Sequence, residues 1–263
     1  MSRYPTGQAC LSKTSQDAAR FLLHLWRELG IATYTQMDNE GCFSGGATHP
    51  YVLGRVLRLC LLVGTQAVFI SIRHPKSNAA IERFHQDYNQ HVWQRHYLDD
   101  MTTLNFHADL FFDTYRTTHY PAALNGQTPQ QVHAACPQRP LPTHFAPTLD
   151  KLPITEGQVH FIRKVQSDGT ISILNLPWQV PAAAQQGVWA TLSLSTTQSE
   201  GVLAVFDEAP TALSRARLIT HSFPLPDSVV PLRAEFRSVP ITAMLPIWPR
   251  PLARLTQKVL TMF

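Results

Sequence analysis

From Ser15 to Leu29, apolar side chains recur every three or four positions, and Phe21, Leu22, Leu25, Trp26 and Leu29 fall on one side of a predicted amphipathic helix. The run from Ile31 to Met37 changes character. Ile31, Thr33, Tyr34 and Thr35 are β-branched or aromatic and predict a strand, which Asn39 to Gly46 closes as a loop. Helical spacing returns over Tyr51 to Leu62, with Val52, Val56, Leu59 and Val63 inward and Arg55 and Arg58 on a solvated face. Ala67 to Ile72 is a short β-branched run of the kind that lies in a buried parallel sheet. Pro75 and Ser77 signal a further helix, which Ile81, Phe84, Tyr88 and Val92 carry to about His96. Strand, helix, strand and helix in succession predict an α/β layer arrangement.

Residues 99 to 133 predict another helix on Leu104, Phe106, Leu110, Phe111, Phe112 and Tyr115, then a turn at Asn125-Gly126 and a short helix opening at Thr128-Pro129. Residues 136–156 carry Pro137, Pro140, Pro142, Pro147 and Pro153 and read as a semi-rigid linker. Beyond it the period shortens to two. QVHFIRKV and TISILN flank Asp168-Gly169, a hairpin signal, and GVWATLSLS and GVLAVFDE supply two more strands. Four short strands at close spacing predict a small β-barrel over residues 157–215. The tail, 216–263, is rich in proline and gives no usable pattern.

Composition narrows the class. Apolar residues make up 44% and charged ones 15% of 263 residues, which describes a globular chain with a substantial core. The net charge of +4 favours a polyanionic partner without demanding one. Cys10, Cys42, Cys60 and Cys136 are scattered and no signal peptide opens the chain, so free thiols in the cytoplasm are expected. The apolar run near Val56 to Gly64 is short and broken by Arg58, so no membrane insertion is expected.

Two carboxylates stand out. Asp38 follows the first strand, and Glu82 sits one turn into the helix after Ser77. A strand-end Asp and a helix Glu can converge on one divalent cation as hard oxygen ligands, which suits Mg²⁺ or Mn²⁺. Glu82 also reads as a solvated helix carboxylate or a capping partner. Asp87, five residues on, is turned by about 140° from Glu82 and addresses a different direction. Lys76, Arg83 and His85 gather at the same helix start, as phosphate contacts or as a solvent-exposed basic rim. His74, His85, His91 and His96 match no helical zinc spacing. No serine triad, phosphate loop or dinucleotide motif offers another chemistry.

QMDNE at Asp38 and HPKSNAAIERFH around Glu82 resemble the integrase catalytic core of retroviral integrases and bacterial insertion-sequence transposases. Asp38, Asn39, His74, Pro75, Ser77, Asn78, Glu82 and Arg83 carry the resemblance, which covers roughly residues 1–135. It implies a ribonuclease-H-like core, followed after the linker by an SH3-like β-barrel. It implies DNA transposition by metal-dependent strand transfer, with Asp38 and Glu82 holding Mg²⁺ (or Mn²⁺) and Lys76, Asn78 and Arg83 near DNA. Arg163 and Lys164, with His160 and Trp178, are further candidates for the DNA backbone, or else barrel surface and core. The implied partners are transposon ends, target DNA and further copies of the chain. Such proteins use three carboxylates, and only Asp17 and Glu28 precede Asp38, both within the first helix pattern. The expectation is therefore a core lacking its first strand, with the first metal-binding Asp upstream of Met1. The alternative is a non-catalytic DNA-binding or oligomerisation remnant.

Overall fold

The computed structural model describes residues 2–45, 50–70, 79–210, 212 and 214–237. In chain order the first half holds α1 (Ser15–Leu29), β1 (Tyr34–Met37), α2 (Gly41–Ser44), α3 (Arg55–Leu62), β2 (Gln66–Phe69), α4 (Ala79–Tyr88), α5 (Met101–Thr118) and α6 (Pro129–Ala135). The second half holds β3 (Ile154–Thr155), β4 (Gly157–Lys164), β5 (Thr170–Ile173), β6 (Leu176–Gln179), β7 (Gly187–Leu194), β8 (Gly201–Phe206), β9 (Arg217–Phe223) and β10 (Val229–Val230). The chain is mixed α/β, and it divides into two compact units.

One unit, residues 2–13, 20–31 and 79–143, is helical. Phe84, Tyr88, Phe111, Phe112 and Tyr115 form its aromatic cluster, with Phe84 edge-on to Tyr115 at 5.2 Å and Tyr88 stacked on Phe112 at 5.8 Å. Such pairs add to the area that they bury. Local chemistry sets the helix ends. Asp100 caps α5 by accepting from the Thr103 amide at 2.6 Å. Thr128 and Gln131 form a reciprocal capping box on α6, with Pro129 in its first turn as the sequence predicts. Asn125 and Gly126 both take positive φ and make the expected turn between them.

The other unit, residues 14–19, 32–70 and 144–237 where described, is built on a six-stranded mixed sheet in the order β1-β2-β4-β7-β8-β9. β1, β2 and β4 run parallel; β4, β7, β8 and β9 alternate in direction. α3 packs on β2 and β4, burying Val56, Leu57, Leu59, Cys60 and Leu61. Phe69 of β2 and Phe161 of β4 are fully buried and stack at 5.2 Å and 9°. Of the four strands expected over 157–215, β4, β7 and β8 extend the sheet that β1 and β2 begin, because β4 lies between β2 and β7, whereas β5 belongs to a separate two-stranded sheet.

Three sequence expectations change in detail. The second predicted helix begins at Arg55 rather than Tyr51, because Tyr51 takes φ +62°, outside the helical region. The Asp168-Gly169 turn forms, with the Asp168 carboxylate accepting from the Thr170 amide at 3.0 Å, yet β5 pairs with β6 rather than β4. The turn of that β5–β6 hairpin is Leu174-Asn175, where φ values of +50° and +63° match a two-residue type I′ hairpin. Arg217–Phe223, inside the region read as patternless, is the edge strand β9.

Candidate functional site

Asp38 is the first residue beyond β1, at the carboxyl end of a parallel strand, and its side chain is exposed. Brief local bonds hold it there. Its Oδ1 accepts from the Glu40 amide at 3.0 Å, an Asx turn that orients the carboxylate. The neighbouring Asn39 donates from Nδ2 to the carbonyl of Ile70 at 2.6 Å, and the Ile70 amide donates to the carbonyl of Met37 at 3.1 Å. The ends of β1 and β2 are thus tied by one side-chain and one main-chain bond, with Asp38 between them. α2 follows at once, with the Phe43 and Ser44 amides donating to the Glu40 carbonyl at 3.0 and 3.2 Å.

Glu82 lies in the first turn of α4, where its charge suits the positive helix end, and it is exposed. Asp38 belongs to the sheet unit and Glu82 to the helical one. Arg83 ion-pairs with Asp87 across 3.5 Å on α4, and its own side chain remains 74% exposed. Lys76 and Asn78, with His74, Pro75 and Ser77, lie outside the described residues.

Arg163 and Lys164 differ sharply although adjacent. Strand alternation sends them to opposite faces of β4. Lys164 is exposed at the strand end. Arg163 is buried, donating from Nε to the Ser172 carbonyl at 2.6 Å and from Nη1 to the carbonyls of Ile162 at 2.9 Å and Ile70 at 3.3 Å. Burial pushes its guanidinium down to about 10, so it stays charged at neutral pH. A guanidinium spent on three internal carbonyls is not presented to a phosphate, and the expected DNA contact at Arg163 gives way to an internal role.

His160 and Trp178 are likewise packed rather than presented. His160 is 2% exposed, with Nε2 at 2.7 Å from Gln66 Oε1 and Nδ1 at 3.0 Å from Thr191 Oγ1. Burial, with a smaller contribution from Arg215, pushes the imidazole down to about 4. Trp178 stacks on Phe223 at 5.9 Å and meets Tyr51 edge-on at 6.3 Å. Sequence reading missed one member of the Asp38 surroundings, the Arg163 bond to Ile70. Only the alternation in HFIRK hinted at it, by putting Arg163 on the same side as Phe161.

As hard oxygen donors, Asp38 and Glu82 have the right chemistry for Mg²⁺ or Mn²⁺. Among the described residues no group of three or more His, Cys, Asp or Glu side chains is placed to hold a metal ion. Among those residues, too, no helix is long and apolar enough to cross a membrane.

No family model matches the chain, and no curated protein matches it. Among solved structures, a chain of the cryo-EM structure of the simian T-cell lymphotropic virus intasome in complex with PP2A regulatory subunit B56 gamma is similar at 14% identity and a TM-score of 0.38. The similarity covers 81% of this chain and 66% of that one. At that distance it speaks to neither activity nor partners.

Proposed function

We propose that the chain serves DNA strand transfer of the transposase and integrase kind, with a ribonuclease-H-like core and Asp38 and Glu82 each acting as a metal-ligating carboxylate. The observation that carries this reading is the exposed Asp38 carboxylate at the carboxyl end of a parallel strand, oriented by the Glu40 amide and flanked by the Asn39 clamp. Ligands and reacting groups of α/β sheets gather outside the carboxyl ends of their strands. Mg²⁺ or Mn²⁺, when bound, stabilises charge on the attacking and leaving oxygens of a phosphodiester. The protein's own part is to hold carboxylates and to position the DNA backbone. Lys164 and Arg83 are exposed cations suited to phosphate, and Lys76 and Asn78 join them by resemblance. The partners on this reading are transposon ends, target DNA and further copies of the chain.

A second reading is non-catalytic DNA binding or oligomerisation. It is favoured by the lack, among the described residues, of three side chains grouped to hold a metal. One experiment separates the two. The purified chain, D38N and E82Q are incubated with supercoiled plasmid and a labelled duplex in Mg²⁺ and in Mn²⁺. Strand joining or nicking by the parent that both variants lose supports the first reading. DNA binding by fluorescence anisotropy that weakens with salt, without cleavage by any of the three, supports the second. Equal cleavage by parent and E82Q rejects the assignment of Glu82.

A further inference from the structure

We infer that Arg163 is a positioning residue for Asp38, acting through the Ile70 carbonyl that it shares with Asn39; as a statement about the candidate site this rests on the reading above, whereas the coupling itself does not.

Ile70 is the first residue past β2, so its carbonyl has left the ladder just where β1 also ends. A carbonyl oxygen accepts two hydrogen bonds. Here one comes from Asn39 Nδ2 at 2.6 Å and the other from Arg163 Nη1 at 3.3 Å. The Asn39 bond fixes the turn in which Asp38 accepts from the Glu40 amide. Arg163 therefore reaches the Asp38 turn through one oxygen atom, from a strand more than a hundred residues further along the chain.

The side chain is a costly choice for packing alone. It is 6% exposed, and among the described residues it has no ion pair; its charge is met by the carbonyls of Ile70, Ile162 and Ser172 and by the face of Phe161 at 5.2 Å. An apolar residue of similar length would fill the space without desolvating a cation. What the guanidinium adds is geometry. Its rigid fork ties β4 to Ser172 of β5 and to the Ile70 carbonyl just past β2, which no apolar side chain can do. The support of the Asp38 turn is thus supplied partly by the second half of the chain.

Amide hydrogen exchange by NMR tests the coupling, with R163M, R163K and N39A compared in the full chain. Arg163→Met should speed exchange of the Glu40 and Ile70 amides about tenfold, the effect of losing one ordinary hydrogen bond, while the β7–β8 ladder at Leu192 and Leu203 keeps its rates. Arg163→Lys should recover part of the protection. Equal acceleration across the whole sheet, or none at Glu40, overturns the inference. Should R163M fail to fold, N39A reads the same bond from the other side: the Arg163 side-chain nitrogen signals move if the carbonyl is shared, and unmoved signals reject it. Mn²⁺ added to the same samples reports on the site separately. If amides near Asp38 show no Mn²⁺ broadening in the parent, the metal reading fails while exchange still decides the role of Arg163.

Discussion

The indole nitrogen of Trp189 lies 3.3 Å from Nδ1 of His160, inside a sheet in which both residues are almost wholly buried. An indole N–H can only donate, so Nδ1 is the acceptor and the proton of the neutral imidazole sits on Nε2, facing Gln66 Oε1. Thr191 extends the network, accepting from Arg215 Nη2 at 3.4 Å. A protonated His160 would set an N–H against an N–H and add a cation to one already near. Burial is the main reason why the charged form is disfavoured, and both consequences add to it.

This depression has a direction in pH. The unfolded chain takes up the His160 proton near 6.5 and the folded chain only near 4, so the unfolded state binds more protons between those values. Stability linked to His160 is fully present above pH 6.5 and is lost progressively as pH falls towards about 4, by about 3 kcal/mol in all. Urea unfolding of the parent and of H160Q at pH 7.5, 5.5 and 4 reads this directly. The parent should lose more stability than H160Q across the interval. Parallel pH curves for the two would show that His160 does not drive it.

The capping box of α6 makes a smaller and more local forecast. Thr128 Oγ1 accepts from the Gln131 amide at 3.2 Å while Gln131 Oε1 accepts from the Thr128 amide at 2.9 Å. Thr128→Ala should cost about 1 kcal/mol in chemical denaturation. Because the two bonds share one helix end, Thr128→Ala and Gln131→Ala combined should cost less than their sum. Strict additivity would mean that the box does not act as a unit.

Much of this architecture is legible in the sequence. The periods of α1, α5, β2, β4, β7 and β8 are clear in the apolar pattern, because each element buries one face or both. Asp38 at a strand end follows from the β-branched run before it. What local pattern does not carry is which strand neighbours which. Nothing in QVHFIRKV says that it pairs with β2, more than eighty residues earlier, rather than with the strand just beyond its own turn. The buried state of Arg163 is hidden for the same reason, since two of its three acceptors, the carbonyls of Ile70 and Ser172, come from other segments of the chain. β9 escaped because RLITHSF mixes buried and exposed positions on an edge, where alternation is weak.

Both proposed ligands are exposed, which makes function and folding separable. Asp38→Asn retains an Oδ1 to accept from Glu40, and Glu82→Gln keeps its length on an exposed helix turn. Each should change stability by no more than about 1 kcal/mol, the range for exposed charges near a helix end. Thermal denaturation of both variants beside the cleavage assay checks this. A variant that loses activity together with several kcal/mol of stability would say that the carboxylate holds the fold.

The place of β4 bears on where the chain can be divided. A chain ending at Ala135 keeps β1 and β2 but removes the strand that pairs with Ala67, Val68 and Phe69. It also removes Phe161, which covers the fully buried Phe69 ring. The remaining parallel pair would present a bare apolar edge, and such edges recruit other chains. Expressed alone, residues 1–135 should therefore sediment as aggregate or expose the Gln66–Phe69 amides to rapid exchange, whereas the full chain protects them. A soluble, monomeric fragment with those amides protected would show that β2 does not depend on the strand which the second half of the chain supplies.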